Sequence, residues 1–276
     1  MKTKLWGGGR TARGHVREDN QDVVVVEPAL GLYAVLDGMG GANAGDVAAR
    51  LAGEQIADSL RTHARIPRRA PRQRLELALD TAACAVWEAA QARPECRGMG
   101  TTVVACLVVT PTYVVIGHAG DSRAYLLRGG DLVALTRDHT VAQNFVDAGV
   151  LSVEQMENSP HKHVLTRNLG RDYGVQPDVL DLALKPGDRL LLCSDGLYGG
   201  APMEDIRRVL GSSDTPERIA ENLVALALKG AALDNISAIV IAVDGGRSRA
   251  TTPPRSRGGS RGTASHHGSR PAGRRR

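Results

Sequence analysis

An α+β fold, antiparallel sheet covered by helices, is predicted by three features of this sequence. Between Gly100 and Leu135 apolar runs follow one another across turns as short as Thr-Pro-Thr and Gly-Gly, which forces neighbouring strands to be antiparallel. Helical periodicity comes in pairs of segments, so strand meanders separated by helix pairs replace the single alternation of a β-α-β protein. Runs such as Leu32 to Leu36 are apolar at every position, the pattern of a strand buried on both faces.

Strands are predicted from Asp22 to Glu27 and Gly31 to Leu36. A helix from Gly45 to His63 carries Val47, Leu51, Ile56 and Leu60 on one face, and a second from Arg72 to Ala92 carries Leu75, Leu79, Ala82 and Val86. The two read as an antiparallel hairpin joined by an arginine- and proline-rich linker, too short and too embedded to divide domains. Strands follow at Thr101 to Val109, Thr112 to Gly117, Arg123 to Leu127 and Leu132 to Leu135, then a polar, helix-like region from Thr140 to Ser159. Strands at Val175 to Leu184 and Arg189 to Cys193, helices at Met203 to Leu210 and Pro216 to Lys229, and a last strand at Ile236 to Val243 complete the order. The sequence has no internal repeat.

The 276 residues are 42% hydrophobic and 24% charged, ordinary for a globular protein, and aliphatic side chains must fill the core because aromatics are scarce. No apolar run reaches the roughly 18 residues of a membrane span, and Met1 to Gly7 lacks the apolar stretch of a signal peptide, so a cytoplasmic location is expected. Cys84, Cys96, Cys106 and Cys193 have no paired spacing; Cys106 and Cys193 fall inside buried strands and read as reduced core residues. The net charge of +5 is unevenly distributed. Residues 246–276 hold nine arginines and no acid, which leaves 26 basic and 30 acidic side chains, a net of −4, on residues 1–245. Rich in Gly, Ser, Pro and Thr, the basic segment cannot bury enough surface to order itself and is expected to be a disordered tail.

Chemistry concentrates at aspartates beside small residues where apolar runs end: Asp37-Gly38, Gly120-Asp121, Ser194-Asp195-Gly196 and Asp234-Asn235, with Asp22 opening the run Val23 to Val26. Asp-Gly is a common turn dipeptide, and any one of these would be a plain turn. Five acids at five strand edges are a different observation, and they predict a cluster of hard oxygen ligands for Mg or Mn. The Asp-Gly pairs are expected to turn the chain sharply and expose both the carboxylate and the glycine carbonyl. Gly38 to Asn43 invites comparison with a nucleotide loop, but Asn43 stands where the last glycine would be and no lysine follows, which excludes that class.

In order along the chain stand Arg17-x-x-Asn20-Gln21-Asp22, Asp37-Gly38-Met39-Gly40-Gly41, Gly100-Thr101-Thr102, Gly120-Asp121-Ser122-Arg123-x-Tyr125, Asp138-His139, Leu165-Thr166-Arg167-x-Leu169-Gly170, Ser194-Asp195-Gly196-Leu197 and Asp234-Asn235-Ile236-Ser237. This series, spanning roughly residues 13–243, resembles the bacterial branch of the metal-dependent protein phosphatases, the type 2C serine/threonine phosphatases. The resemblance implies a four-layer α-β-β-α sandwich, two antiparallel sheets flanked by helix pairs, with residues 1–245 as the catalytic domain. It also implies roles. Asp37 would bridge two Mn or Mg ions, Asp195 and Asp234 would bind the first, and Asp22 with the carbonyl of Gly38 would hold the second largely through water. Asp121 with Asp195 would bind a third, weaker ion, and Arg17 would bind phosphate, a task suited to a planar guanidinium.

The implied reaction is hydrolysis of phosphoserine or phosphothreonine by a hydroxide bridging the two ions, with Arg17, Asp37 and Asp195 as catalytic residues and no protein nucleophile. Met39 stands where some relatives carry histidine; His139 and His161 are candidates for the proton donor by residue type only. Residues 140–163 occupy the place of the family's flap. The expected partners are phosphorylated proteins and a bacterial Ser/Thr kinase, with the protein a monomer and no membrane involved. The Arg17 motif resembles that of phosphatases opposing kinases of type VI secretion. Two competing readings are a catalytically silent phosphatase-fold module that binds phosphoproteins, and nucleic-acid binding through the arginine-rich tail.

Overall fold

Strands apolar on both sides need a cover on each, and the chain provides it in four layers. The computed structural model describes residues 3–40, 44–63 and 70–244. Most of the predicted linker and the arginine-rich tail therefore lie outside the described residues. One sheet runs in the order β1 (Lys4–Ala12), β11 (Ile236–Asp244), β10 (Arg189–Cys193), β7 (Arg123–Arg128), β8 (Asp131–Ala134). The other runs β2 (Asp22–Glu27), β3 (Leu32–Met39), β5 (Val103–Thr110), β6 (Tyr113–Ala119), β9 (Asp178–Ala183), with the short β4 (Gly100–Thr101) pairing the end of β3. Every pairing is antiparallel.

Three apolar clusters bind the layers. Along β3, Leu32, Ala34 and Leu36 face the hairpin of α1 (Ala44–Thr62) and α2 (Pro71–Ala92), whereas Tyr33 and Val35 face the opposite sheet. Strand β11 repeats the pattern: Ile239, Ile241 and Val243 lie between the sheets, and Ile236, Ala238 and Val240 pack on the outer helices α5 (Asp195–Gly200), α6 (Met203–Leu210) and α7 (Pro216–Leu228). Each apolar run thus feeds two cores at once through the two-residue period of a strand. Cys106 sits in the inter-sheet core and Cys193 in the outer one, and burial pushes both thiols up to about 12. No described helix is long and apolar enough to cross a membrane.

Two elements differ from expectation. The edge strand β1 contains Gly7-Gly8-Gly9, a poor strand sequence by propensity. Its glycines answer to close approach: a Cβ on Gly8 would lie 2.7 Å from the Cα of Glu217 in α7, and one on Gly9 would lie 2.6 Å from a Val24 methyl. The second difference concerns Asp-Gly. Asp37 and Gly38 do not turn the chain; β3 continues through them to Met39, and Gly38 pairs with Thr101 of β4. Asp195-Gly196 likewise makes no turn but opens α5, with Ser194 at its N-cap.

The polar region after β8 forms two short helices, α3 (Val141–Asp147), capped by Thr140, and α4 (Val153–Glu157), held by a Ser152–Gln155 capping box. The excursion is tied off at its base. The Val141 amide donates to the Val164 carbonyl (2.9 Å) and the Thr166 amide to the His139 carbonyl (2.8 Å).

Candidate active site

Six of the seven predicted site residues, Arg17, Asp37, Gly38, Asp121, Asp195 and Asp234, line one cavity of about 610 Å³. The seventh, Asp22, is buried and pairs with Asp37 across β2 and β3. Different elements deliver them: Asp22 and Asp37 the adjacent strands of one sheet, Asp121 the β6–β7 turn, Asp195 the first turn of α5, and Asp234 the loop entering β11. Gly38 is obligatory in this packing, since a Cβ there would fall 2.1 Å from the Gly45 carbonyl oxygen.

Burial and mutual repulsion make the cluster costly as a set of carboxylates. Asp22 is pushed up to about 7, first by burial and then by the charges of Asp195 and Asp234, against hydrogen bonds from Ser237 and Ser194. Asp121 is likewise pushed up to about 7 by burial and by Asp195 and Asp138. Asp37 is raised well above the usual carboxylate range by burial, then by Asp22, Asp195, Asp121 and Asp234. Oδ1 of Asp22 and Oδ1 of Asp195 are buried without a hydrogen-bond partner, while Asp22 Oδ2 accepts from the Ser194 hydroxyl at 2.8 Å. Orphaned buried oxygens beside like charges fit divalent cations, and a donor set of oxygens fits Mg or Mn over softer metals.

Supporting contacts fix the geometry. The Asp37 amide donates to Thr102 Oγ1 (3.1 Å), and that hydroxyl lies 2.6 Å from Ser122 Oγ. Asn235 clips the loop before β2 in place: its Nδ2 donates to the carbonyls of Arg13 (2.8 Å) and Asp19 (2.9 Å), and its Oδ1 accepts from the Gln21 amide (2.8 Å). Arg17 Nη2 donates to Asp234 Oδ2 at 2.7 Å, and the other carboxylate oxygen accepts from the Asn235 amide.

The two histidines chosen by residue type do not line the acidic cavity. His139 is buried and stacked on His118 with ring centroids 4.4 Å apart; its Nδ1 accepts from the Gly120 amide, and burial lowers its pKa to about 4. His161 packs edge-on against Phe145 of α3. The histidine that lines the cavity is His163, whose Nδ1 lies 3.4 Å from Asp195 Oδ2. A ligand atom from each of Asp121, His163 and Asp195 lies within 4.8 Å of the other two. Sequence reading placed His163 only at the end of the flap, because nothing in its immediate neighbours marks it from His161.

Residues 6–229 match the family model described as Protein phosphatase 2C. Serine/threonine phosphatase stp of Listeria innocua is 33% identical over 236 residues, covering 84% of this chain and 93% of that protein. The catalytic domain of the serine/threonine protein phosphatase PstP, solved with two manganese ions, superposes with a TM-score of 0.76 at 33% identity, covering 88% of this chain and 100% of that one. PppA, a key regulatory component of the type VI secretion system in Pseudomonas aeruginosa, gives the same TM-score of 0.76, identity of 33% and coverages of 88% and 100%. With the eight motifs in order, the four-layer sandwich and the acidic cavity, these matches establish that the chain belongs to the protein phosphatase 2C family.

Proposed function

We propose that this chain is a metal-dependent phosphoprotein phosphatase that hydrolyses phosphoserine and phosphothreonine monoesters. The observation that carries the reading is the cluster of five aspartates, two of them with a buried oxygen that has no partner. Asp37 would bridge two Mn or Mg ions, Asp195 and Asp234 would hold one, Asp22 and the Gly38 carbonyl the other, and Asp121 with Asp195 a third, weaker ion. The two manganese ions of PstP support a two-ion site. Such a pair, when bound, supplies a nucleophilic water activated near neutral pH and neutralises charge on phosphoryl oxygens.

The remaining work falls to the chain. Arg17, on the cavity wall, would grip two phosphate oxygens with its guanidinium, orienting phosphorus toward the cluster. Asn235 holds the Arg17 loop, and Thr102 and Ser122 fix the Asp37 backbone. We take residues 1–245 as the catalytic domain, residues 140–163 as the flap that selects protein substrates, and residues 246–276 as an appendage. A bacterial Ser/Thr kinase is the opposing partner, in the cytoplasm, with the phosphatase acting as a monomer.

Metal-stripped protein given a phosphothreonine peptide tests the reading. Phosphate release should appear on adding Mn and vanish in Asp37→Asn and Asp195→Asn; folded protein that binds Mn and releases no phosphate from peptides or small aryl phosphates would overturn it.

A further inference from the structure

A second cavity, of about 320 Å³, adjoins the acidic one. His163 lines both, and the Tyr198 hydroxyl in its wall donates to the Asp121 carbonyl at 3.1 Å, so the two are neighbours that share a wall at the flap base. The apolar part of the lining comes from Met156 of α4 on the flap side and from Tyr198, Ala201, Pro202 and Met203, from α5 to the start of α6, on the other.

The polar groups Arg123, Asp138 and Thr140 in its wall are already engaged within the chain. Arg123 donates from Nε and Nη2 to the two oxygens of Asp138 (2.8 and 2.7 Å) and from Nη1 to Tyr125 Oη (3.2 Å), and its guanidinium carbon lies 3.7 Å from the centre of the Tyr198 ring. Thr140 Oγ1 accepts from the Gln143 amide. A polar group entering beside Arg123, Asp138 and Thr140 would lose its water and meet donors and acceptors that are already paired. An apolar group would meet the thioethers of Met156 and Met203, which adapt to varied shapes, and the Ala201 and Pro202 surfaces. Exposed Glu157 and Lys162 at the lining put charge of both signs beside the apolar floor, where a peptide backbone can be accommodated.

We infer that this cavity receives a large apolar side chain of the substrate polypeptide, close in sequence to the phosphorylated residue, and so sets a sequence preference for phosphoproteins with such a neighbour. The inference rests on the phosphatase reading, which puts the phosphoryl group in the adjoining acidic cavity. Adjacency of the two cavities, with His163 in the wall of both, is the reason a substrate segment, rather than an unrelated ligand, is the occupant. The flap contributes one wall, so its sequence tunes the preference without touching the phosphoryl group.

The test uses Mn-loaded full-length protein and phosphothreonine peptides in which one leucine is walked through the flanking positions of an otherwise Ser/Ala sequence. At one register kcat/KM should rise about 10-fold or more, the range one apolar group confers in a fitting pocket. Met203→Gln and Met156→Gln, on different elements, should each remove most of that advantage. Both should leave turnover of a small aryl phosphate within about twofold, since it has no neighbour to place there. Aryl phosphate turnover with no leucine register preferred, or a preference that survives both substitutions, overturns the inference alone. No Mn-dependent release from aryl phosphate or any peptide overturns the phosphatase reading and this inference with it.

Discussion

Asp22 and Asp37 are direct cross-strand partners on β2 and β3, two acids where a sheet ordinarily avoids like charge. Burial raises both pKa values, the charges of Asp195 and Asp234 add to it at Asp22 and the charge of Asp22 adds to it at Asp37, and Asp22 keeps an oxygen with no partner. The metal-free fold therefore carries a local cost that a shared cation removes. Replacing Asp37 with Asn should raise the melting temperature of chelator-treated protein while abolishing the stabilisation that Mn gives the parent. Phosphatase activity should fall by about 10²-fold or more, in line with loss of a main electrostatic contributor. Paired thermal melts with and without Mn check the first part and steady-state kinetics the second.

The same raised groups set a pH dependence. In the folded state burial pushes Asp22 and Asp121 up to about 7 against 3.8 for an ordinary aspartate, so the fold retains protons that the unfolded chain has lost. Their stabilising contribution is full below the unfolded value and disappears as pH rises through about 7. Metal-free protein should grow less stable to urea from roughly pH 5 to pH 8, and saturating Mn should flatten that slope. Mn binding near pH 6 should also release protons, measurable by calorimetry in buffers of different ionisation enthalpy.

Arg17 pairs with Asp234 at 2.7 Å but is half exposed, with side-chain exposures of 55% and 32% for the two. An exposed pair contributes less than about 1 kcal/mol, so Arg17→Ala should barely move the melting temperature. The same substitution should raise KM for a phosphopeptide about 10-fold or more, with Arg17→Lys recovering only part of it, because a lysine cannot engage two oxygens side by side. Inorganic phosphate inhibition of the two variants offers an independent readout.

Asn235 satisfies three backbone groups of the segment before β2. Asn235→Ala leaves them unpaired and should cost about 1–3 kcal/mol in urea unfolding. Because that segment carries Arg17 and leads into Asp22, Mn affinity should weaken by about 10-fold, as for other residues that orient ligands without touching the ion. Asn235→Asp, which keeps an acceptor for the Gln21 amide, should recover part of the stability.

Gly8 offers a test of the fold itself. A Cβ there meets the Glu217 backbone at 2.7 Å, which cannot yield as the end of a flexible side chain would, so Gly8→Val should destabilise by about 1–3 kcal/mol or more even though valine is the better strand residue. Circular dichroism melts compared with Val133→Thr, at an exposed position on β8, separate packing from propensity.

Most strands and the four longer predicted helices, α1, α2, α6 and α7, were legible because each leaves a periodic apolar trace, and Asp22–Glu27, Arg189–Cys193 and Met203–Leu210 coincide with the predicted bounds. The acidic residues were legible for a different reason: four aspartates beside small residues at the ends of apolar runs, and a fifth, Asp22, opening another, are more than turns require. Strand β1 was not, since its three glycines lower strand propensity and their purpose exists only once α7 and the facing sheet lie against them. The Asp-Gly pairs misled because a dipeptide carries the option of a turn, whereas the Gly45 carbonyl and the partner strand β4 decide that β3 continues. His163 has no sequence neighbour that marks it from His161; that it faces the cavity is a property of how residues 140–163 are tied at their base. The sequence by itself determined which segments are buried and which residues can bind a hard cation. Tertiary structure alone decided which of them meet, because periodicity records that a face is covered and not what covers it, and residues as distant as Asp22 and Asp234 converge only through strand pairing and the stacking of two sheets.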